Sequence, residues 1–406
     1  MGEFHRGNGY DESFDEPAIA ISVEDAQAVV TQMEYDDAGF ETVMAPAHVA
    51  VDMNPARFHP VEQSAHALDT SAEPPAVKVK LVLSMPQSLG DSVCFTAIPR
   101  ALHKAWPNRF EIAIRTPFHQ LWEGNPYVTW IPDNATDVVK IDCHDPAVHE
   151  SNQRNVHMIE AFCEYIGWEL WARKLVPAPT LKPDKDHGLR GDIYLSAAER
   201  GWMSLPHEHY GVQRYWLINA GGKKDFSVKW PIPSVMQAVV DHFRGRIQFV
   251  QVGMNPRTNP NHVAPKLSGV IDAIGETTQE RQLIRLVHSA SGVLSGITAL
   301  THLAAAVPRP DWMKRERASV VIAGGRENRA WYSYPTTSVL DVVGRLECCS
   351  SGGCWKSRTV ALRDGDVNND SVERRCERVV NDYPKCMWMI EAVDIIRTIE
   401  RCLTSE

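Results

Sequence analysis

Residues 77–99 read VKVKLVLSMPQSLGDSVCFTAIP. The stretch from Val77 to Ser84 has the length and β-branched content of a short buried strand. It gives way to a loop ending in Leu89-Gly90-Asp91-Ser92, and the spacing beyond predicts a helix from about residue 92 to Trp106, stopped by Pro107. Outward from there, 110–115 reads as a second strand, 118–122 as a short helix and 128–132 as a third strand. Strand–helix–strand alternation at this spacing means an α/β, doubly wound parallel sheet. An aromatic-rich helix is expected over 151–175, and the Pro-rich stretch at 174–191 reads as a crossing between domains.

The second half repeats the grammar. Strands are expected at 215–220, 247–252, 292–295 and 319–323, with helices at 234–243, 280–289 and from Thr301 to Val307. Ser234, after Pro233, is placed to cap the first of these helices. Two similar domains of this kind facing each other imply a ligand cleft at the carboxyl ends of their strands. The expected organisation is an extension at 1–76, an N-terminal Rossmann-like domain at 77–190, a second at 191–345, and a Cys-rich knuckle with a C-terminal helix at 346–406.

The net charge of −9 divides unevenly. Residues 1–76 hold 15 Asp and Glu against 2 Lys and Arg, a balance of −13, so the remaining 330 residues carry 40 basic against 36 acidic side chains, or +4. The acidic segment reads as a partly disordered extension or a docking arm, with one helix able to start at Ser22. A body at +4 suits phosphorylated ligands and is no strong nucleic-acid signature. No apolar run reaches the ~18 residues of a membrane span, and the polar, acidic start is unlike a secretory signal. The expectation is a cytoplasmic protein, free to oligomerise.

Three loops fall at the strand edges where such folds bind ligands. In the first, Asp91 is either a helix-capping residue or a general base that takes a proton from a hydroxyl. In the second, Gly221-Gly222-Lys223-Lys224 to Lys229-Trp230-Pro231, glycines after a strand admit a phosphate to backbone amides and lysines neutralise it; the bland alternative is a solvated basic loop. In the third, Gly296-Ile297-Thr298 leads into a small-residue helix whose positive end would face the cleft, with His302 one turn in. A lone histidine there is more often packed in the core.

Taken together these elements resemble the heptosyltransferase-like glycosyltransferases of family 9, over roughly residues 78–402. The resemblance is carried by Gly90-Asp91 with Thr96, Pro99 and Trp106-Pro107; by Gly124-Asn125-Pro126; by Lys229-Trp230-Pro231; and by His302-Leu-Ala-Ala-Ala306. It implies a GT-B architecture, two Rossmann-like domains across a cleft, and inverting sugar transfer from a nucleotide-diphosphate sugar without a catalytic metal. It implies Asp91 as base and Lys229 as the partner of the leaving diphosphate. Gly221, Gly222, Lys224, Gly296, Thr298 and His302 would hold the donor, with Arg326 or Glu327 nearby. The family usually carries Asp-Thr-Gly before the last helix where this chain reads Ile297-Thr298-Ala299, so ADP-heptose is not carried over as the donor.

Five cysteines fall between 348 and 386. Cys349-x4-Cys354-x21-Cys376-x9-Cys386 can supply four thiolates to a structural zinc or iron, or stay as buried reduced thiols. Adjacent side chains rarely reach one ion, and Cys349 is preferred here over Cys348. Family relatives with a cysteine-bound iron or zinc knuckle near this end are similar. Cys94, Cys143, Cys163 and Cys402 read as packing residues. The acceptor stays open among a glycan, a protein and a modified viral DNA base, the last disfavoured by the weak body charge. The competing readings are a nucleotide-sugar epimerase or hydrolase and a non-catalytic scaffold, the latter motivated by Ile297.

Overall fold

The computed structural model describes residues 78–143 and 154–404. The acidic extension at 1–76, with its helix from Ser22, lies outside the described residues, as do positions 151–153 of the helix expected over 151–175.

The first half is a three-stranded parallel sheet in the order β2-β1-β3, with β1 at Val79–Ser84, β2 at Phe110–Arg115 and β3 at Val138–Asp142. The second is a six-stranded parallel sheet built from β4 (Trp216–Ile218), β5 (Phe249–Gly253), β6 (Ile271–Ile274), β7 (Gly292–Gly296), β8 (Ala318–Gly324) and β9 (Thr337–Asp341). Its order, β9-β8-β7-β4-β5-β6, is the doubly wound Rossmann order. Strand order reverses between β4 and β7, and the crevice outside their carboxyl ends is where such a sheet takes a ligand.

Between β1 and β2 the chain forms two helices, α1 (Leu89–Phe95) and α2 (Ile98–Ala105), rather than the one expected from residue 92. Pro99 is the cause: it has no N–H to donate to the carbonyl a turn earlier, so the helix breaks at Thr96 and Ala97. Thr96 turns the break to use, its hydroxyl donating to Val93 O at 2.6 Å and accepting from Asp192 N–H at 2.6 Å. Next comes α3 (Met158–Ala172), whose Phe162 meets Phe95 edge-on at 5.2 Å between ring centroids. Leu81, Leu83, Val93, Phe95, Phe162 and Ile166 are buried in this core.

Other expectations need correcting. Residues 128–132 are not a strand: Thr129 N–H reaches Ile112 O at 2.7 Å, but Pro132 cannot donate and the pairing stops, so β3 forms later. The helix α4 (Pro233–His242) starts at Pro233 with Ile232 at the cap position and no side-chain cap, so Ser234 does not cap it. The helix α5 (Glu280–Ser289) has the bounds expected, whereas α6 (Ala299–Ala306) starts earlier because Thr298 is its cap, accepting from Leu300 N–H at 3.3 Å.

The last helix, α7 (Ala392–Thr404), returns to the second sheet, where Ile395 and Ile399 join Met236, Val239 and Phe243 of the α4 region in one buried cluster. The halves are clamped together at the start of α5. Arg281 pairs with Glu199 at 2.7 Å and donates to Tyr194 O at 3.0 Å and to Gln120 O at 3.4 Å. No helix among the described residues is long and apolar enough to cross a membrane.

Candidate active site

The first turn of α1, after β1, carries Gly90 and Asp91, the turn after β4 leads into Gly221 and Gly222, the end of β7 gives Gly296 and Thr298, and the end of β8 gives Arg326 and Glu327. Each of these belongs to the carboxyl edge of its sheet.

The two halves meet closely where α1 faces α6. A Cβ on Gly90 would stand 3.1 Å from the His302 ring and 3.6 Å from the amide nitrogen of Ala299. The first turn of α1 thus lies against the first turn of α6, and the turn that holds Asp91 is brought beside the Ala299 amide. Asp91 is half-buried. Its Oδ2 accepts from the Ser88 N–H at 3.1 Å and from the Ser88 hydroxyl at 2.7 Å, so the carboxylate reaches back to the residue before its own helix. Ser88, not Asp91, is thus the cap residue, and Asp91 at the third helical position closes the capping box, which fixes the direction of a carboxylate at this edge.

On the second sheet, Gly296 plays the matching part. A Cβ there would meet Lys229 O at 2.7 Å and the Pro231 ring at 3.3 Å, so its absence lets the Lys229-Trp230-Pro231 segment lie on the end of β7. The Lys229 ammonium pairs with Glu327 Oε1 at 2.5 Å, and the same oxygen receives Arg326 Nη1. Arg326 and Glu327 are buried. Phe226 packs against both cations, with Lys229 Nζ 5.2 Å and the Arg326 guanidinium 5.1 Å from its ring centroid. Phe226 and Trp355, whose ring is 5.4 Å from Arg326, were not singled out from sequence. Phe226 stands three residues before Lys229, and nothing in that spacing separates it from an ordinary core aromatic.

Gly221 and Gly222 serve packing. A Cβ on Gly221 would collide with Val263 O at 1.9 Å and one on Gly222 would press on Trp230 at 3.3 Å. Residues 222–223 pair antiparallel with 262–263, and Lys224 N–H donates to Asn261 O at 2.8 Å. The close approach read from these glycines is therefore to the protein's own chain.

His302 is buried with its Nδ1 2.6 Å from the Tyr334 hydroxyl and 3.2 Å from Cys94 Sγ. Burial, with a smaller push from Lys229, lowers its pKa to about 3, which keeps the ring neutral. His157, whose ring centroid lies 5.0 Å from that of Tyr334, is lowered to about 3 by burial and by His302. His302 is thus a packed histidine of the junction, and its partners come from three distant segments that no sequence spacing links.

Cys348, Cys349, Cys354, Cys376 and Cys386 line one small enclosed cavity, together with Gly325 and Arg326. All are free thiols. Burial pushes the Cys386 thiol up to about 12, with Cys354, Cys376 and Cys349 adding to it. A Cβ on Gly325 would lie 3.1 Å from Cys349 Sγ, so the cavity depends on that glycine. No group of three or more His, Cys, Asp or Glu among the described residues is placed to hold a metal ion as the side chains stand.

No family model matches the sequence, and no curated protein matches it either. Solved structures do. A glycosyltransferase of family 9 from Veillonella parvula aligns at a TM-score of 0.52 and 12% identity, over 82% of this chain and 99% of that one. The iron-containing dodecameric glycosyltransferase TibC of enterotoxigenic E. coli aligns at 0.51 and 14% identity, over 81% of this chain and 76% of that one. A complex of TibC with ADP-D-β-D-heptose aligns at 0.51 and 13% identity, with the same coverage. With two parallel sheets whose carboxyl edges turn to one junction, this chain has the GT-B fold of the solved family 9 glycosyltransferases.

Proposed function

We propose that the chain is a glycosyltransferase that moves a sugar from a nucleotide-diphosphate donor to an acceptor hydroxyl with inversion. The observation that carries this reading is the contact of α1 with α6, where Gly90, beside Asp91, approaches the Ala299 amide that opens α6. In the transfer, the acceptor oxygen bonds to the anomeric carbon as the bond from that carbon to the diphosphate breaks. Asp91 takes the hydroxyl proton. The Lys229 ammonium, the Thr298 hydroxyl and the amides that open α6 stabilise the departing diphosphate, so the step is assigned no catalytic metal. Arg326 and Glu327 lie behind Lys229, and His302 packs beneath.

The nucleotide-sugar named in the TibC complex supports the donor class. Ile297, where the family usually has Asp, leaves the sugar itself to experiment. The acceptor proposed is a glycan or another hydroxyl-bearing molecule.

The test is nucleoside-diphosphate release across a panel of nucleotide-sugars, with and without cell-extract acceptors. The expected result is release with one donor that rises with acceptor and falls about 10²- to 10⁴-fold in Asp91→Asn. Full transfer by Asp91→Asn would remove the proposed base. Acceptor-independent release would favour the epimerase or hydrolase reading, and silence across the panel the scaffold reading.

A structural zinc or iron at the thiol cavity belongs to the same proposal, held by Cys349, Cys354, Cys376 and Cys386. The iron-containing neighbour and the gathering of reduced thiols around one cavity support it. Four thiolates would close the coordination shell and leave the ion no part in the chemistry. Elemental analysis of the purified chain is expected to find about one ion per chain, lost in Cys354→Ser; a folded, active, metal-free protein would dismiss it.

A further inference from the structure

We propose that Glu327 is the positioning residue for Lys229 and acts through that ammonium rather than on the donor. The inference rests on the transferase reading above. Glu327 is only 2% exposed, whereas the Lys229 side chain keeps 22% exposure and the Arg326 side chain 9%. Of the three charges, the ammonium is the one best placed to meet an incoming anion. Glu327 Oε1 receives both cations, leaving the trio with one net positive charge.

Without that carboxylate, two cations would share the surroundings of the Phe226 ring in a poorly solvated site and repel each other. The lysine, on a flexible and more exposed stem, is the one that would shift, because Arg326 is anchored from behind. Arg326 Nε donates to Lys356 O at 2.6 Å, its carbonyl accepts from Trp355 N–H at 3.1 Å, and a Cβ on Gly353 would meet that carbonyl at 2.4 Å. Support thus runs from residues 353–356 through Arg326 and Glu327 to Lys229.

A carboxylate in this place does two opposing things. It aims the ammonium, which matters most as charge develops on the leaving diphosphate, and it weakens the attraction of Lys229 for the ground-state anion. Glu327→Gln keeps the shape and removes the charge. The expected outcome is a fall in kcat of about 10- to 100-fold, with donor KM changed less than about threefold.

The decisive experiment is a double-mutant cycle with Lys229→Ala, read as kcat/KM for the donor. Glu327→Gln is expected to have no further effect once Lys229 is gone, and Glu327→Asp, which keeps the charge, to recover part of the loss. Should Glu327→Gln fold poorly, the same cycle is run with Glu327→Asp. Additive losses in the cycle, or unchanged kcat in a folded Glu327→Gln, would overturn the assignment. A wild-type protein silent with every donor would remove the transferase reading and this proposal with it, whereas wild-type turnover with an additive cycle overturns the role of Glu327 alone.

Discussion

The two sheets present edges of opposite construction. At the edge of the first, Asp91 is half-buried and held by Ser88, three residues away in the same turn. At the edge of the second, Lys229 is held by Glu327, nearly a hundred residues distant, and Glu327 in turn by Arg326. One charge is set by local chain geometry, the other by the tertiary fold. A local device survives loosening of the junction, because a capped first turn needs only its own residues. A long-range device depends on every segment that delivers a partner, so disturbance at the junction should reach the lysine edge before the aspartate edge.

The junction has its own sensor of such disturbance, and here the largest effect on stability is expected. His157 from the first half and His302 from the second are buried neutral against Tyr334, each lowered to about 3 chiefly by desolvation. Between pH 6.5 and 3 the unfolded chain binds protons that the folded chain refuses. The stabilisation is therefore fully present above pH 6.5 and is lost as pH falls towards 3. Each histidine approaches a slope of about 1.4 kcal/mol per pH unit only well below pH 6.5, so unfolding at pH 5 should cost on the order of 3 kcal/mol less than at pH 6.5 on account of the pair. Denaturant titrations at the two pH values check this: His157→Asn and His302→Asn should each flatten the dependence by about half. Slopes equal to wild type would mean that these rings protonate without opening the junction.

What could be read from the sequence follows the same division between local and distant. Strands buried in the middle of the sheets announce themselves by short apolar stretches, Leu81-Val82-Leu83 in β1, Val293-Leu294 in β7 and Val320-Val321-Ile322-Ala323 in β8. The edge strands β6 and β9 do not: Ile271-Asp-Ala-Ile and Thr337-Ser-Val-Leu-Asp are mixed in polarity and only partly buried, so they escaped notice. Residues 128–132 show the converse, a strand-like composition without a partner to complete the ladder. In the site, Gly90-Asp91 and the Gly296-Ile297-Thr298 turn were legible because turns are local chemistry, though Thr298 was read as a hydroxyl of the turn and not as the cap. The bridging of Lys229 and Arg326 by Glu327, and the group formed by Cys94, His157, His302 and Tyr334, were not, because the contacts join segments that the sequence keeps far apart. Glycines misled for a related reason. Gly221 and Gly222 mark close approach, but a sequence does not say whether a ligand or the protein's own chain approaches.

The smallest expected effect tests the local edge directly. Ser88→Ala removes the hydroxyl that donates to Asp91 Oδ2 at 2.7 Å and leaves the backbone N–H donation at 3.1 Å in place. Loss of one capping interaction should lower stability by about 1 kcal/mol, read as a shift in the denaturation midpoint. Under the proposed chemistry the carboxylate keeps its place through the backbone bond and keeps its charge, so transfer should stay within about threefold of wild type. If Ser88→Ala instead loses transfer to the degree expected of Asp91→Asn, the hydroxyl orients the base itself. The first edge would then depend on a side-chain partner as the second does, and the contrast between them would narrow to the distance along the chain over which each partner is supplied.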